Sequence, residues 1–150
     1  MKQTDLREAM KDAMRAKDAV RLSVIRGIMT AITNELVAKG GKPTDEMADE
    51  DVIAIIRRLS KQRKDSIEQF EKGGRADLAE TEKAELAIIE SMLPALLSEE
   101  EVRTVTTAKA AELGITTKDK ANQLMGAVMK ELKGKADGTV VKAVVDSLFV

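Results

Sequence analysis

KDKANQLMGAVMKELKGKADGTVVK, residues 118–142, reads as a helix, a glycine-bracketed basic loop and the start of a second helix. Leu124, Met125, Val128 and Leu132 recur at three- and four-residue spacing, so one side of the first helix is apolar and faces inward. Lys118, Lys120 and Lys130 are left on or beside the wet side. A stop is expected at Gly134, flanked by Lys133 and Lys135, before Asp137-Gly138 turns the chain into Thr139. Several ammonium groups and the open amides of a new helix start are thereby gathered in one short region, which suits an anionic partner. A plainer reading of KGKADG is a helix stop and turn, with Gly134 and Gly138 there for backbone geometry, and it does not exclude that role.

Working outward, Val140, Val141, Val144, Val145 and Leu148 keep helical spacing to Phe149. Their β-branched content would also suit a strand, but no other segment offers one a partner, so a helix is expected. Upstream, Thr116 or Thr117 is the expected N-cap, and Gly114 ends an earlier helix with Ile115 sealing it. That helix opens sharply: Ser98 and Glu101 form a capping box, and Leu97 is placed to staple onto Val102. Residues 98–150 therefore read as a three-helix module.

Residues 1–97 read as a helical bundle, which makes the fold class all-α. Thr4 is the expected cap of a first helix, and Asp18 of a second. The second has Leu22, Ile25, Met29, Ile32 and Leu36 on one stripe and Val24, Ile28 and Ala31 on another. Only Ser23, Gly27, Thr30 and Asn34 are small or polar, so this helix is expected at the centre of the core, covered on both sides. Gly40-Gly41-Lys42-Pro43-Thr44 is a loop, and the acidic residues from Asp45 to Asp51 suit the next helix start. That helix carries Val52, Ile56, Leu59, Ile67 and Phe70 inward, with Arg63 in phase with Leu59 and Ile67 and its stem along the core edge. Gly73-Gly74 closes it, Asp77 with Glu80 is the expected capping box of the next, and Pro94 ends that one.

Charge is balanced, with 25 Lys+Arg against 26 Asp+Glu, so any binding face must come from local segregation. The row Arg7, Lys11 and Arg15 reads as a solvated face laced with Asp5, Glu8 and Asp12. Arg57, Arg58, Lys61, Arg63 and Lys64 lie in a stretch without an acid, and Arg57, Lys61 and Lys64 share a face. That group reads either as a solvated face or as an anion-binding one. From Lys118 onward there are six Lys+Arg and four Asp+Glu, a modest excess for an RNA binder.

Absences narrow the chemistry. Without Cys there is no disulfide or thiol nucleophile, and without His the usual neutral-pH base and metal ligand is missing. Neither a catalytic set, a cofactor site nor a metal site is expected; Glu82, Glu85 and Glu90 read as ordinary surface acids. A nucleotide-binding P-loop does not fit GKADGT, where the order is wrong and no strand precedes. No apolar run nears the ~20 residues of a membrane span, and no secretory signal is seen, so a cytoplasmic location is expected. Phe70 and Phe149 are the sole aromatics. An RNA partner should then be recognised by folded shape and phosphate, not by stacked single-stranded bases.

Two blocks carry a family likeness: RKDSIEQFEKGGRADLAETEKAELAIIE with MLPALLSEEE after it (63–101), and LMGAVMKELKGKADGTVV (124–141). Together they resemble the YqeY-like proteins, stand-alone relatives of the C-terminal region of the GatB subunit of the tRNA-dependent Asp/Glu amidotransferase. The departure is Glu131, where the family pattern often has proline. The resemblance implies an all-α protein in translation whose C-terminal part faces the body of a tRNA, with Met125-Gly126, Lys133-Gly134-Lys135 and Asp137-Gly138 matching the motif. It transfers no catalytic residue, and any amidotransferase (carbon-nitrogen ligase) label would reflect homology to a subunit.

The expected function is thus a non-catalytic module for tRNA or other structured RNA, contacting phosphates through Lys118, Lys120, Lys130, Lys133, Gly134, Lys135 and Gly138, with Arg57, Lys61 and Lys64 as further candidates. Neither DNA nor a membrane is expected as partner. The alternative is an accessory subunit that joins an amidotransferase or another tRNA-handling protein, with Met-containing helices as adaptable contacts.

Overall fold

The computed structural model describes residues 1–149, and no strand occurs among them. The described residues form α1 (Gln3–Arg15), α2 (Ala19–Ala38), α3 (Asp49–Lys72), α4 (Ala76–Ser91), α5 (Glu99–Leu113), a 3-10 turn (Lys118–Lys120), α6 (Ala121–Glu131) and α7 (Gly138–Ser147). Contacts divide the chain into two units, Met1–Leu93 and Pro94–Val150. The 3.6-residue periodicities explain why: each unit closes its own apolar stripes on its own core.

In the first unit, Leu6 of α1, Ile25, Ile28 and Ile32 of α2, Val52 and Ile56 of α3 and Ile89 of α4 are at most 2% exposed. Helix α2 touches α1, α3 and α4, while α3 and α4 form a closely packed antiparallel hairpin. The line Ser23, Gly27, Thr30 and Asn34 stays exposed, as do Val20 and Val37 near its ends. Asp18 caps α2 by accepting from the Arg21 N–H at 3.0 Å. Two other expected caps are displaced. Thr4 lies inside α1, because the Asp5 carboxylate takes the Lys2 N–H at 2.8 Å and starts the helix earlier. Asp77 also lies inside its helix, with both oxygens held by the Arg75 guanidinium at 3.2 Å.

In the second unit, Val102, Leu124, Val128, Val141 and Val144 are fully buried, and α5, α6 and α7 each pack on the other two. Residues 94–97 belong here: Leu97 packs against this core and its N–H donates to the Lys135 carbonyl at 2.9 Å. Ser98 and Glu101 form the reciprocal box, with Glu101 Oε2 accepting from the Ser98 N–H at 2.7 Å and the hydroxyl at 3.0 Å. Gly114 takes the left-handed conformation (φ +66°), which returns the Ile115 N–H to the Ala110 carbonyl at 2.9 Å and buries Ile115.

The box makes a pH prediction. The Ser98 N–H, then its hydroxyl, holds the Glu101 carboxyl below the ordinary carboxylate range. A depressed folded-state value means this stabilisation is complete above the unfolded carboxylate range and is lost as pH falls through the lowered value. The urea midpoint gap between wild type and Glu101→Gln should therefore be constant above about pH 5 and close on acidification. A gap that persists unchanged to strongly acid pH would contradict it.

Candidate nucleic-acid interface

The segment after Gly114 opens with a tight 3-10 turn, not with the α-helix expected from Thr116 or Thr117. Thr117 is the residue before that turn, and α6 begins at Ala121 with no side-chain cap. Lys118 and Lys120 flank Asp119, whose carboxyl is kept low chiefly by the Thr117 side chain. Helix α6 buries Leu124 and Val128 and leaves Asn122, Gln123, Gly126 and Lys130 exposed. It ends at Glu131, which reaches Lys109 of α5 at 2.9 Å, while Lys109 also holds Glu112 at 3.2 Å. Both acids raise the Lys109 ammonium above its ordinary value, Glu131 first. A proline at 131, as in the family pattern, would forgo that tie.

Gly134 then adopts φ +74°, and the Lys135 N–H closes the turn on the Leu132 carbonyl at 2.9 Å. Asp137 caps α7 by accepting from the Thr139 N–H at 2.8 Å and the Thr139 hydroxyl at 2.6 Å. The amides at this helix start are therefore already occupied in part, which lessens their use for an outside anion. Gly138 faces Met129: a Cβ there would lie 3.4 Å from the Met129 methyl. A Cβ at 138 would thus make ordinary contact with a flexible side chain, whereas Gly126 has open space where its Cβ would be.

The two candidate groups of cations fare differently. Among the described residues, Lys118, Lys120, Lys130 and Lys135 are exposed and form no ion pair. Lys133 is exposed too, but it already has an interaction within the chain. Lys120 and Lys130 stand about 15 Å apart along the helix axis at 1.5 Å per residue, so the lysines rim both ends of α6. Among Arg57, Arg58, Lys61, Arg63 and Lys64 the charge is mostly spent on internal ties. Lys64 meets Glu90 at 2.8 Å and Arg58 meets Glu35 at 3.2 Å. Arg63 reaches Glu82 at 2.8 Å and also Glu85, which locks α3 to α4. Arg57 is half-buried, with its own interaction in the chain, and burial pushes its guanidinium down. Lys61 remains exposed without an ion pair among the described residues.

Glu82, Glu85 and Glu90 are thus structural counter-ions. No group of acids able to hold a metal ion occurs among the described residues, and no helix there is long and apolar enough to cross a membrane. Asn122 and Gln123, exposed beside Gly126, carry no charge and so do not stand out in a sequence search for an anion-binding face. Their signal in the sequence was their position, three and four residues before Gly126 and hence on its face.

Comparison with known proteins adds the family. Residues 3–149 match the family model described as Yqey-like protein. A relative in Kluyveromyces lactis, named Altered inheritance of mitochondria protein 41, mitochondrial, is 36% identical over 154 residues, covering 96% of this chain and 80% of its own. Proteins of the same name in Lachancea thermotolerans (43% identical over 89 residues, 59% of this chain and 46% of theirs) and Saccharomyces cerevisiae (32% over 132 residues, 88% and 68%) are also similar. The chain spans about half the length of the Lachancea protein. These names correct the expected cytoplasmic location, since the relatives are named as mitochondrial proteins. None of the names mentions RNA or an amidotransferase. With the match running from residue 3 to residue 149, the chain belongs to the YqeY-like protein family.

Proposed function

We propose that the second unit binds folded RNA of the tRNA type through the lysines that rim α6. The observation that carries this reading is the contrast in pairing. Lys64, Arg58 and Arg63 are neutralised inside the protein, whereas Lys118, Lys120, Lys130 and Lys135 are exposed and form no ion pair among the described residues. Exposed ammonium groups outside ion pairs are what a phosphate backbone can use, and binding then releases counterions. The lack of Tyr and Trp argues against gripping single strands and leaves shape and phosphate as the means of recognition.

The test is a titration of labelled tRNA at several salt concentrations. Four phosphate contacts give a log–log salt slope of roughly −3 to −4. Replacing Lys118, Lys120, Lys130 and Lys135 by Gln should flatten the slope nearly to zero and abolish binding at moderate salt, whereas Lys64→Gln should leave the slope unchanged. Absence of tRNA binding by the wild-type protein at low salt would sink the reading. A protein complex that survives nuclease and high salt would instead favour the accessory-subunit role.

A further inference from the structure

Glycine in the middle of an exposed helix face weakens the helix, so its presence calls for a reason. At Gly126 the two internal reasons are missing. Its φ is not positive, unlike those of Gly40, Gly74, Gly114 and Gly134, and a Cβ there would meet nothing within 4 Å. Gly27 of α2 shares that open space but has Ser23, Thr30 and Asn34 along its face and no lysine among them. Around Gly126 the surroundings are more specific. Asn122 and Gln123 lie one turn before it, Lys130 one turn after, and all three are exposed. Met129, 37% exposed, borders the face, and Lys120 stands at its N-terminal edge. Asp119 is the acid at that edge, and its carboxyl is engaged by Thr117. The face is therefore bare of side chain at its middle, amide-bearing beside it and cationic at both ends.

We propose that this face of α6 seats in the minor groove of double-stranded RNA, with Gly126 the point of closest approach. The inference rests on the RNA reading above and deepens it. The minor groove of A-form RNA is wide and shallow, is walled by phosphates, and displays 2′-hydroxyls that both donate and accept hydrogen bonds. Side-chain amides also donate and accept, so Asn122 and Gln123 match that floor, and lysines at the two ends of the helix match the walls. A missing side chain at 126 lets the helix backbone descend to it. B-DNA lacks the 2′-hydroxyl and has a minor groove only about 6 Å wide, too narrow for a helix about 10–12 Å across. A single strand would need aromatic stacking, and this face has none.

The experiment uses the full chain and fluorescence anisotropy with an RNA duplex, the DNA duplex of the same sequence and the corresponding single-stranded RNA. Wild type should bind the RNA duplex at least about tenfold more tightly than the other two, a difference of about 1.4 kcal/mol. Gly126→Leu should weaken RNA-duplex binding by about tenfold or more. Gly126→Ala should fall between, and in both variants thermal stability should be unchanged or higher because the helix gains propensity. Equal binding of RNA and DNA duplexes, or undiminished binding by Gly126→Leu, overturns the groove assignment while leaving phosphate-mediated RNA binding intact. No binding of any nucleic acid at low salt brings down both.

Discussion

Leu124→Ala is expected to cost the second unit about 3–4 kcal/mol and leave it largely unfolded. Leu124 is fully buried among Val102, Val128, Val141 and Val144, on the one apolar side of α6. Truncating a buried leucine loses the transfer free energy of the removed atoms and adds a cavity term, about 3–5 kcal/mol together when neighbours cannot collapse into the gap. The neighbours here are mostly β-branched valines, which are stiff at χ1 and relax little. The unit Pro94–Val150 is shorter than the roughly 70–80 residues below which one core rarely supplies more than about 3–5 kcal/mol, so the loss consumes most of what it has. Tryptophan fluorescence cannot follow this, as the chain has no Trp. Hydrogen exchange of peptides from α5, α6 and α7 can. Undiminished protection in those helices would mean that Leu124 is not the keystone of this core.

The second large effect is expected at Arg63. Its guanidinium reaches both Glu82 and Glu85, whose side chains are only 20% and 18% exposed, across the hairpin of α3 and α4. Arg63→Ala removes the cation and leaves two half-buried carboxylates beside each other. Breaking a fully buried pair this way costs about 3–5 kcal/mol, and with Arg63 itself 33% exposed a loss of about 2–3 kcal/mol is expected. Arg63→Lys should recover part of it, since a single nitrogen, Nη1, meets both carboxylates and an ammonium carries three donors on one nitrogen. The informative variant is the triple replacement of Arg63, Glu82 and Glu85 by apolar residues of similar volume. It should be close to neutral, because the desolvation cost of three charges goes with their attraction. Urea denaturation of the single, conservative and triple variants measures the difference. A triple variant as unstable as Arg63→Ala would show that the site acts through packing.

Much of this architecture was legible because it is local. The capping box at Ser98 and Glu101, the cap at Asp18 and the left-handed close at Gly114 each need only a few consecutive residues, and each forms as the sequence implies. The misplaced starts at Thr4, Asp77 and Thr117 each go with a local arrangement that the capping pattern does not encode. Asp5 took the Lys2 amide, the Arg75 guanidinium took the Asp77 carboxylate, and a 3-10 turn inserted before α6. Pairing across elements was out of reach. Arg63 was visibly misplaced among Leu59 and Ile67, and Glu82 and Glu85 were visible as acids, but only the hairpin brings them together. Lys64 shows the same for the candidate site, since its counter-ion Glu90 lies on the opposite helix of the pair. Gly126 was legible as a glycine in a motif, and only coordinates reveal the empty space above it.

The backbone bond from the Leu97 N–H to the Lys135 carbonyl bears on how this protein can be cut into pieces. An excised C-terminal fragment beginning at Ser98 would carry all three helices, yet it would lose the strap that pins the turn holding Gly134 and Lys135, together with the leucine lodged against the core. Starting at Pro94 keeps both, so a four-residue choice of start site decides whether the fragment presents that turn in its native shape.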